Sequence, residues 1–282
     1  VEIDLGWEPQ YLLCKAYGSG GGWRVWDTTR GFNVTGDNRY LVLNSSGVEG
    51  ADSAAGFYHP TATGFKCNTT YFGNTDMVYM AIRRPNKPAE EFEADELFAI
   101  DTAGSTGDGK FPMFRSGFPV DMAIRMDIGP ASNEIASRPA SGRWMYTDQT
   151  VAESAVAPVA FDHQSGWFNS AVTASNYLSF MWRRAPGYFD VVCYVGNQTA
   201  RQIPHNLGVV PEMMWVKCRS QSRNWAVYAA PQGNTKVANL NGTGAFTADT
   251  SSWNSASPTS THFTVGDSAT TNFNPEPMIT YL

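Results

Sequence analysis

Three stretches of this 282-residue chain share one form. Pro9-Gln-Tyr-Leu-Leu-Cys-Lys15, Pro119-Val-Asp-Met-Ala-Ile-Arg125 and Pro211-Glu-Met-Met-Trp-Val-Lys217 each run proline, apolar segment, basic residue six places on. A glycine precedes each: Gly6, Gly117 and Gly208. The form reads as a turn feeding a strand. Proline opens the strand where no ladder donor is needed, and the apolar run implies burial on both faces. A strand-sized signature that recurs in this way points to repeated units, and the length suits two or three sandwich cores better than one.

Two further signatures follow the first. Trp23-Arg-Val-Trp26, Trp144-Met-Tyr146 and Trp225-Ala-Val-Tyr228 come after polar, glycine- and serine-rich loops. The first and third begin 14 residues after their prolines, and the middle one 25. They read as period-two strands with their rings on one face, each the hairpin partner of the proline strand. Thr63-Gly-Phe65, Ser165-Gly-Trp167 and Thr261-His-Phe263 then lead to closing strands at Val78–Arg84, Leu178–Arg184 and Met278–Leu282. The predicted units are 1–85, 97–185 and 189–282. Leu97–Ile100 and Tyr188–Tyr194 are candidate opening strands for the second and third. Nothing equivalent precedes Pro9, so the first unit lacks its opening strand. No stretch carries a sustained 3.6-residue period beyond a turn or two at Lys87–Phe98. The expectation is an all-β chain of three diverged, jelly-roll-like β-sandwich repeats in tandem.

Composition narrows the functional classes. Net charge is −6, and the only basic clusters are the pairs Arg83-Arg84 and Arg183-Arg184, so the positive footprint of a nucleic-acid binder is missing. The acidic run Glu90–Glu96 reads as a solvated linker. No apolar run reaches the ~18 residues of a membrane span. Cys14, Cys67, Cys193 and Cys218 form no C-x-x-C and read as buried free thiols; the alternative pairs Cys14 with Cys67 and Cys193 with Cys218. Asn33, Asn44, Asn68, Asn197 and Asn241 head N-x-[ST] sequons, as expected by chance in a chain rich in these residues. The abrupt start and the closing strand at the end suggest a piece of a longer polypeptide.

Leu207-Gly-Val-Val-Pro-Glu-Met-Met-Trp-Val-Lys217, Asn224-Trp-Ala-Val-Tyr228 and Pro258-Thr-Ser-Thr-His-Phe-Thr-Val-Gly266 resemble a repeated β domain of structural proteins from tailed bacteriophages, especially marine ones. Gly22–Arg30 and Thr63–Lys66 look like a sister version, and the middle unit departs most. The resemblance implies a virion fibre, tail or appendage component located in the particle, with other virion proteins as partners. It assigns no active site, and a trimer is the assembly it suggests.

The residues themselves offer little chemistry. No pair of carboxylates recurs on a strand signature as a glycosidase would need. No G-x-S-x-G elbow accompanies His59, His163, His205 or His262, and His205 reads as a turn residue bonding backbone. The loop Asp101–Gly109 is acidic and glycine-rich but lacks EF-hand spacing, so it reads as a hairpin loop. The rings of the second signature read as core. Tyr58, Tyr71, Phe72 and Trp253 lie outside the signatures and are the candidates for ligand contact or subunit packing. The expectation is a non-catalytic virion protein with no cofactor or metal and no assigned ligand residue. It works as a homo-oligomer through exposed strand edges and contributes to host-surface adhesion. The alternative is an extracellular carbohydrate-binding or polysaccharide-depolymerising module.

Overall fold

The structure, a computed structural model, describes residues 1–16, 22–30, 38–51, 58–67, 76–84, 91–102, 112–129, 131–140, 142–156, 159–169 and 177–282. The chain is all-β. Strands make up 45% of it and helix 4%, and every strand pairing is antiparallel within small sheets. It divides into two compact units, Val1–Asn86 and Lys87–Leu282. The first division lies at the start of the predicted linker. The expected joint at 185–189 falls inside the second unit.

The first unit runs β1 (Glu2–Asp4), β2 (Pro9–Ala16), β3 (Arg24–Asp27), β4 (Arg39–Val42), β5 (Gly50–Ala51), β6 (Tyr58–Thr61), β7 (Gly64–Cys67) and β8 (Met77–Arg83). A large sheet has the order β5-β4-β3-β2-β8 and a small one β1-β7-β6. Leu12, Cys14 and Trp26 of the large sheet pack on Ile3, Tyr58 and Phe65 of the small one. Trp26 and Tyr58 rings lie 4.4 Å apart.

The second unit begins with β9 (Phe98–Asp101), β10 (Phe114–Arg115), β11 (Met122–Asp127), β12 (Glu134–Ser137), β13 (Trp144–Tyr146), β14 (Val159–Ala160), β15 (Gly166–Asn169) and β16 (Tyr177–Trp182). It continues with β17 (Val191–Val195), β18 (Arg201–Pro204), β19 (Met213–Cys218), β20 (Ala226–Ala229), β21 (Lys236–Asn239), β22 (Thr247–Ala248), β23 (His262–Val265) and β24 (Pro277–Tyr281). Its large sheets are β13-β12-β11-β16-β9 and β17-β24-β19-β20-β21-β22, and its small ones β10-β15-β14 and β18-β23. Each large sheet carries a small one on one face. Ala123, Ala136, Trp144 and Met181 pack on Phe114, Val159 and Trp167. Met214, Val216, Tyr228 and Met278 pack on Ile203, Phe263 and Val265. The opposite faces of the two large sheets cover each other. Met122, Ile135 and Met145 share a core with Val191, Trp225, Ile279 and Tyr281.

The local geometry recurs. Gly6, Gly117 and Gly208 all have left-handed φ, at 73°, 83° and 77°, which turns the chain from the small sheet into the large one at the lowest cost for a residue without Cβ. Ile3 faces Phe65, Phe114 faces Trp167, and Ile203 faces Phe263 as cross-strand pairs of the three small sheets. In each large sheet one central strand is flanked by a hairpin partner and by a strand from much later in the chain: β3 and β8 beside β2, β12 and β16 beside β11, β20 and β24 beside β19.

Several sequence expectations are corrected. Trp23 and Trp26 are three residues apart, as are Trp225 and Tyr228, so period two puts each pair on opposite faces rather than one. Tyr228 joins the core with the small sheet and Trp225 the core between large sheets. Only Trp144 and Tyr146 share a face, with centroids 4.8 Å apart. In the middle segment the hairpin partner of β11 is β12, and Trp144 lies one strand further on, in β13. The extra strand accounts for the longer spacing. The proline motif is also out of phase there. Ala123, four places after Pro119, faces the small sheet, whereas Trp215, four places after Pro211, faces the other large sheet. Finally, β24 is no exposed edge: it pairs with β17 on one side and β19 on the other. Among the described strands β8 lies at an edge: β16 and β24 have β9 and β17 beside them, and no described strand takes that place beside β8.

Candidate functional site

The buried charges are the first place to look for chemistry. Among the described residues the buried carboxylates are Asp121, Glu134 and Asp190, and each meets a guanidinium. Asp190 is gripped by Arg184, whose Nε and Nη2 lie 2.7 and 2.6 Å from Oδ1, while its Oδ2 accepts the Asn206 N–H at 2.8 Å. Asp121 accepts the Arg184 backbone N–H at 2.7 Å and sits 3.3 Å from Arg138 Nε. Arg138 also donates to the carbonyls of Val120 and Phe161. These pairs bracket 185–189 and tie the segment between β16 and β17 to the turn before β11. The pair Arg183-Arg184 that closed a sequence signature is thus half structural tie.

The second cluster lies where β11 meets β12. Arg125 and Glu134 are cross-strand partners and form an ion pair. Asn169 donates to Glu134 at 2.9 Å, and Tyr177 stacks against the guanidinium at 4.2 Å. The third crosses between the large sheets. Arg219, fully buried, reaches Glu153 at 2.7 Å, and Arg143 approaches the same carboxylate at 3.6 Å. Lys217 donates to the carbonyls of Thr150, Cys218 and Gln221, while burial pushes its ammonium down to about 8 against the pull of nearby Glu153. Trp225 donates to the Tyr146 carbonyl at 2.8 Å, and Tyr281 to Ser137 at 3.3 Å. In all three clusters, burial cost is offset by an opposite charge or a carbonyl. Two facing carboxylates with room for a sugar are not assembled by these groups.

The remaining sequence candidates resolve individually. His205 accepts the Leu207 N–H on Nδ1 at 3.2 Å and donates from Nε2 to Thr259 O at 3.1 Å, as a neutral imidazole does. Burial lowers its pKa, partly opposed by that carbonyl. His163 lies 3.5 Å from Asp162, and His262 contacts Thr261. Asp101 accepts the Arg115 N–H at 2.7 Å; the rest of its loop, 103–109, lies outside the described residues, as do Tyr71, Phe72, Asn33 and Asn68. Tyr58 and Trp253, the candidates for ligand contact or subunit packing, are core: exposure is 1% and 0%, and Trp253 Nε1 donates to Lys236 O. All four cysteines are free thiols, with Cys14 pushed up to about 12 by burial. Cys193 and Cys218 belong to opposite faces of their sheet, which rules out the disulfide between them. Among the described residues no three His, Cys, Asp or Glu side chains gather as a metal site, and no helix is long and apolar enough to cross a membrane.

One exposed surface carries several large apolar side chains. On the face of the first large sheet turned away from its small sheet, Trp23 is 37% exposed, Leu43 62%, Val78 46%, Met80 48% and Ile82 45%. The Lys15 ammonium lies 5.8 Å from the Trp23 ring. Sequence reasoning placed Trp23 in the core because the rings of its signature recur at equivalent strand positions. The three-residue spacing is the signal that separates them.

One protein family matches the chain, described as a domain of unknown function (DUF7483), over residues 142–282, half of its length. The matched span begins just before β13 and holds both sides of the ties from Tyr146 to Trp225, Thr150 to Lys217 and Glu153 to Arg219. No curated protein and no solved structure matches. The chain belongs to the DUF7483 family.

Proposed function

We propose that the chain is a non-catalytic structural protein of a virion, a component of a tail fibre, spike or decoration built from three tandem β-sandwich units, each a large sheet and its small one. It works as a homo-oligomer and contributes contact with a host surface. The observation that carries this reading is how its buried charge is used. Asp121, Glu134 and Asp190 are all committed to arginines that join strands or sheets, so the polar interior acts as fastening. The resemblance to phage appendage repeats supplies the virion setting.

Repetition is supported by matched contacts. Trp23 N–H donates to Asn44 Oδ1 at 2.9 Å, and Trp225 N–H to Asn241 Oδ1 at 2.8 Å. Small antiparallel sheets also build propellers, whose blades are sequential meanders. The central strands β2, β11 and β19 each pair instead with a late strand, the crossing expected of a sandwich.

The second reading, a carbohydrate-binding or carbohydrate-cleaving module, is favoured by the partly exposed Trp23 ring with Lys15 near it, a platform on which a sugar can stack. A glycan array combined with a reducing-sugar assay on bacterial polysaccharides separates the two. Binding without turnover fits a structural adhesin. Release of reducing ends contradicts the proposal.

A further inference from the structure

The first large sheet carries, on the face turned away from its small sheet, the kind of side chains found at an internal interface. Its closest comparison is the large sheet containing β19. The prolines at 9 and 211 set the alignment, and the strand registers extend it. Leu13 pairs with Val25 and Met80; Trp215, at the same offset from its proline, pairs with Val227 and Tyr281. Lys15 pairs with Val78, and Lys217 with Ile279. Leu43 N donates to Trp23 O, and Leu240 N to Trp225 O. Trp23, Leu43, Val78 and Met80 therefore match Trp225, Leu240, Ile279 and Tyr281 position by position.

The fates of the two sets differ. Trp225, Ile279 and Tyr281 are 0, 0 and 3% exposed, and Leu240 packs with them, because the far face of the neighbouring large sheet covers them. Their counterparts Trp23, Val78 and Met80 are 37, 46 and 48% exposed, and Leu43 is 62% exposed. Chemistry is kept at each position, aromatic or aliphatic, while these four side chains stay exposed around Val25, which is 3% exposed on the same face. Contiguous apolar faces of this kind mark interaction sites. Lys15 fits as well. Its counterpart Lys217 is buried in the shared core and ends on carbonyls, one of them Thr150 O from across the interface.

We propose that this face binds the same face of a second copy, forming a two-fold dimer that reproduces between chains the sheet-on-sheet contact made within Lys87–Leu282. A second copy is the fitting occupant because the cover of such a face in this chain is another such face. Of the three large sheets two cover each other, and a two-fold axis supplies the third with an identical partner. The inference rests on the repeat reading and is independent of the virion setting.

The test is sedimentation of the full chain across 0.1–100 µM (on the order of usual dimer affinities), with two single variants. Met80→Glu lies on β8, the edge strand; Leu43→Glu lies beyond β4, three strands from that edge. Both side chains are about half or more exposed, so folding is checked by circular dichroism and expected to be unchanged. The expected result is a dimer that each variant weakens by a factor of about 100, as for an unpaired charge forced into an apolar interface. A monomer throughout, a trimer, or a dimer broken by Met80→Glu but not by Leu43→Glu (pairing through the β8 edge) overturns the proposal. If Leu43→Glu misfolds, Leu43→Ser with Trp23→Ser replaces it, with the same criteria and a weakening of at least tenfold expected.

Discussion

At the scale of residues, charge and hydrogen bonding fasten sheets, so substitutions should act on stability. Glu153→Gln leaves Arg219 buried without its counter-charge and is expected to lower stability by about 3–5 kcal/mol, read as a shifted denaturant midpoint. His59 gives a pH dependence. Burial first, then Lys66 and the N-terminal ammonium, lower its pKa from 6.5 to about 4. Above pH 6.5 neither folded nor unfolded chain is protonated there. Between 6.5 and 4 the unfolded chain takes up the proton first, so stability falls across that window and levels off below it. His59→Gln should reduce the loss between pH 7 and pH 5 by about 1 kcal/mol, allowing for screening at a partly exposed ring; urea titrations at the two pH values measure it. Some of this scale was legible in sequence. The glycines before each proline were visible, and all three take left-handed φ. The role of Asn44 and Asn241 was not. They cap Trp23 and Trp225 from 21 and 16 residues away, an unequal spacing that only the sheet register brings into line.

At the scale of elements, alternation decides which residue faces which layer. The same signature therefore gives opposite energetics in its two copies. Trp225→Ala removes a fully buried ring and its bond to Tyr146 O, and is expected to cost about 3–5 kcal/mol. Trp23→Ala should cost the isolated chain less than about 1 kcal/mol. Chemical denaturation of both variants checks the contrast; equal losses would contradict the assignment of faces. Strand positions around the prolines were legible because a proline, an apolar run and a basic residue mark a strand start. Faces were not, because the spacing of the two rings was read as period two. The middle segment hid β12, whose Glu134-Ile-Ala-Ser137 carries neither ring nor proline and is buried on both faces.

At the scale of the whole molecule, the sequence divides the chain by repeats and the structure divides it by cores. A repeat boundary at 185–189 is visible as a break between signatures, yet the two sheets on either side share Ile135, Trp225, Ile279 and their neighbours. Apolar patterning shows that a face is buried but not what buries it, so this joint core could not be read from sequence. Residues 87–282 are expected to unfold in one cooperative transition by calorimetry, whereas a fragment limited to 97–185 exposes Met122, Ile135 and Met145 and should fail to fold. The proposed function belongs to this scale too, since it concerns a part of an assembly. The most direct measurement is mass spectrometry of gradient-purified particles from the organism that encodes the chain. A virion structural protein is predicted to be present in those particles in fixed proportion to the other structural proteins. Its absence from them, with the chain free and releasing reducing ends from polysaccharide, would contradict the account.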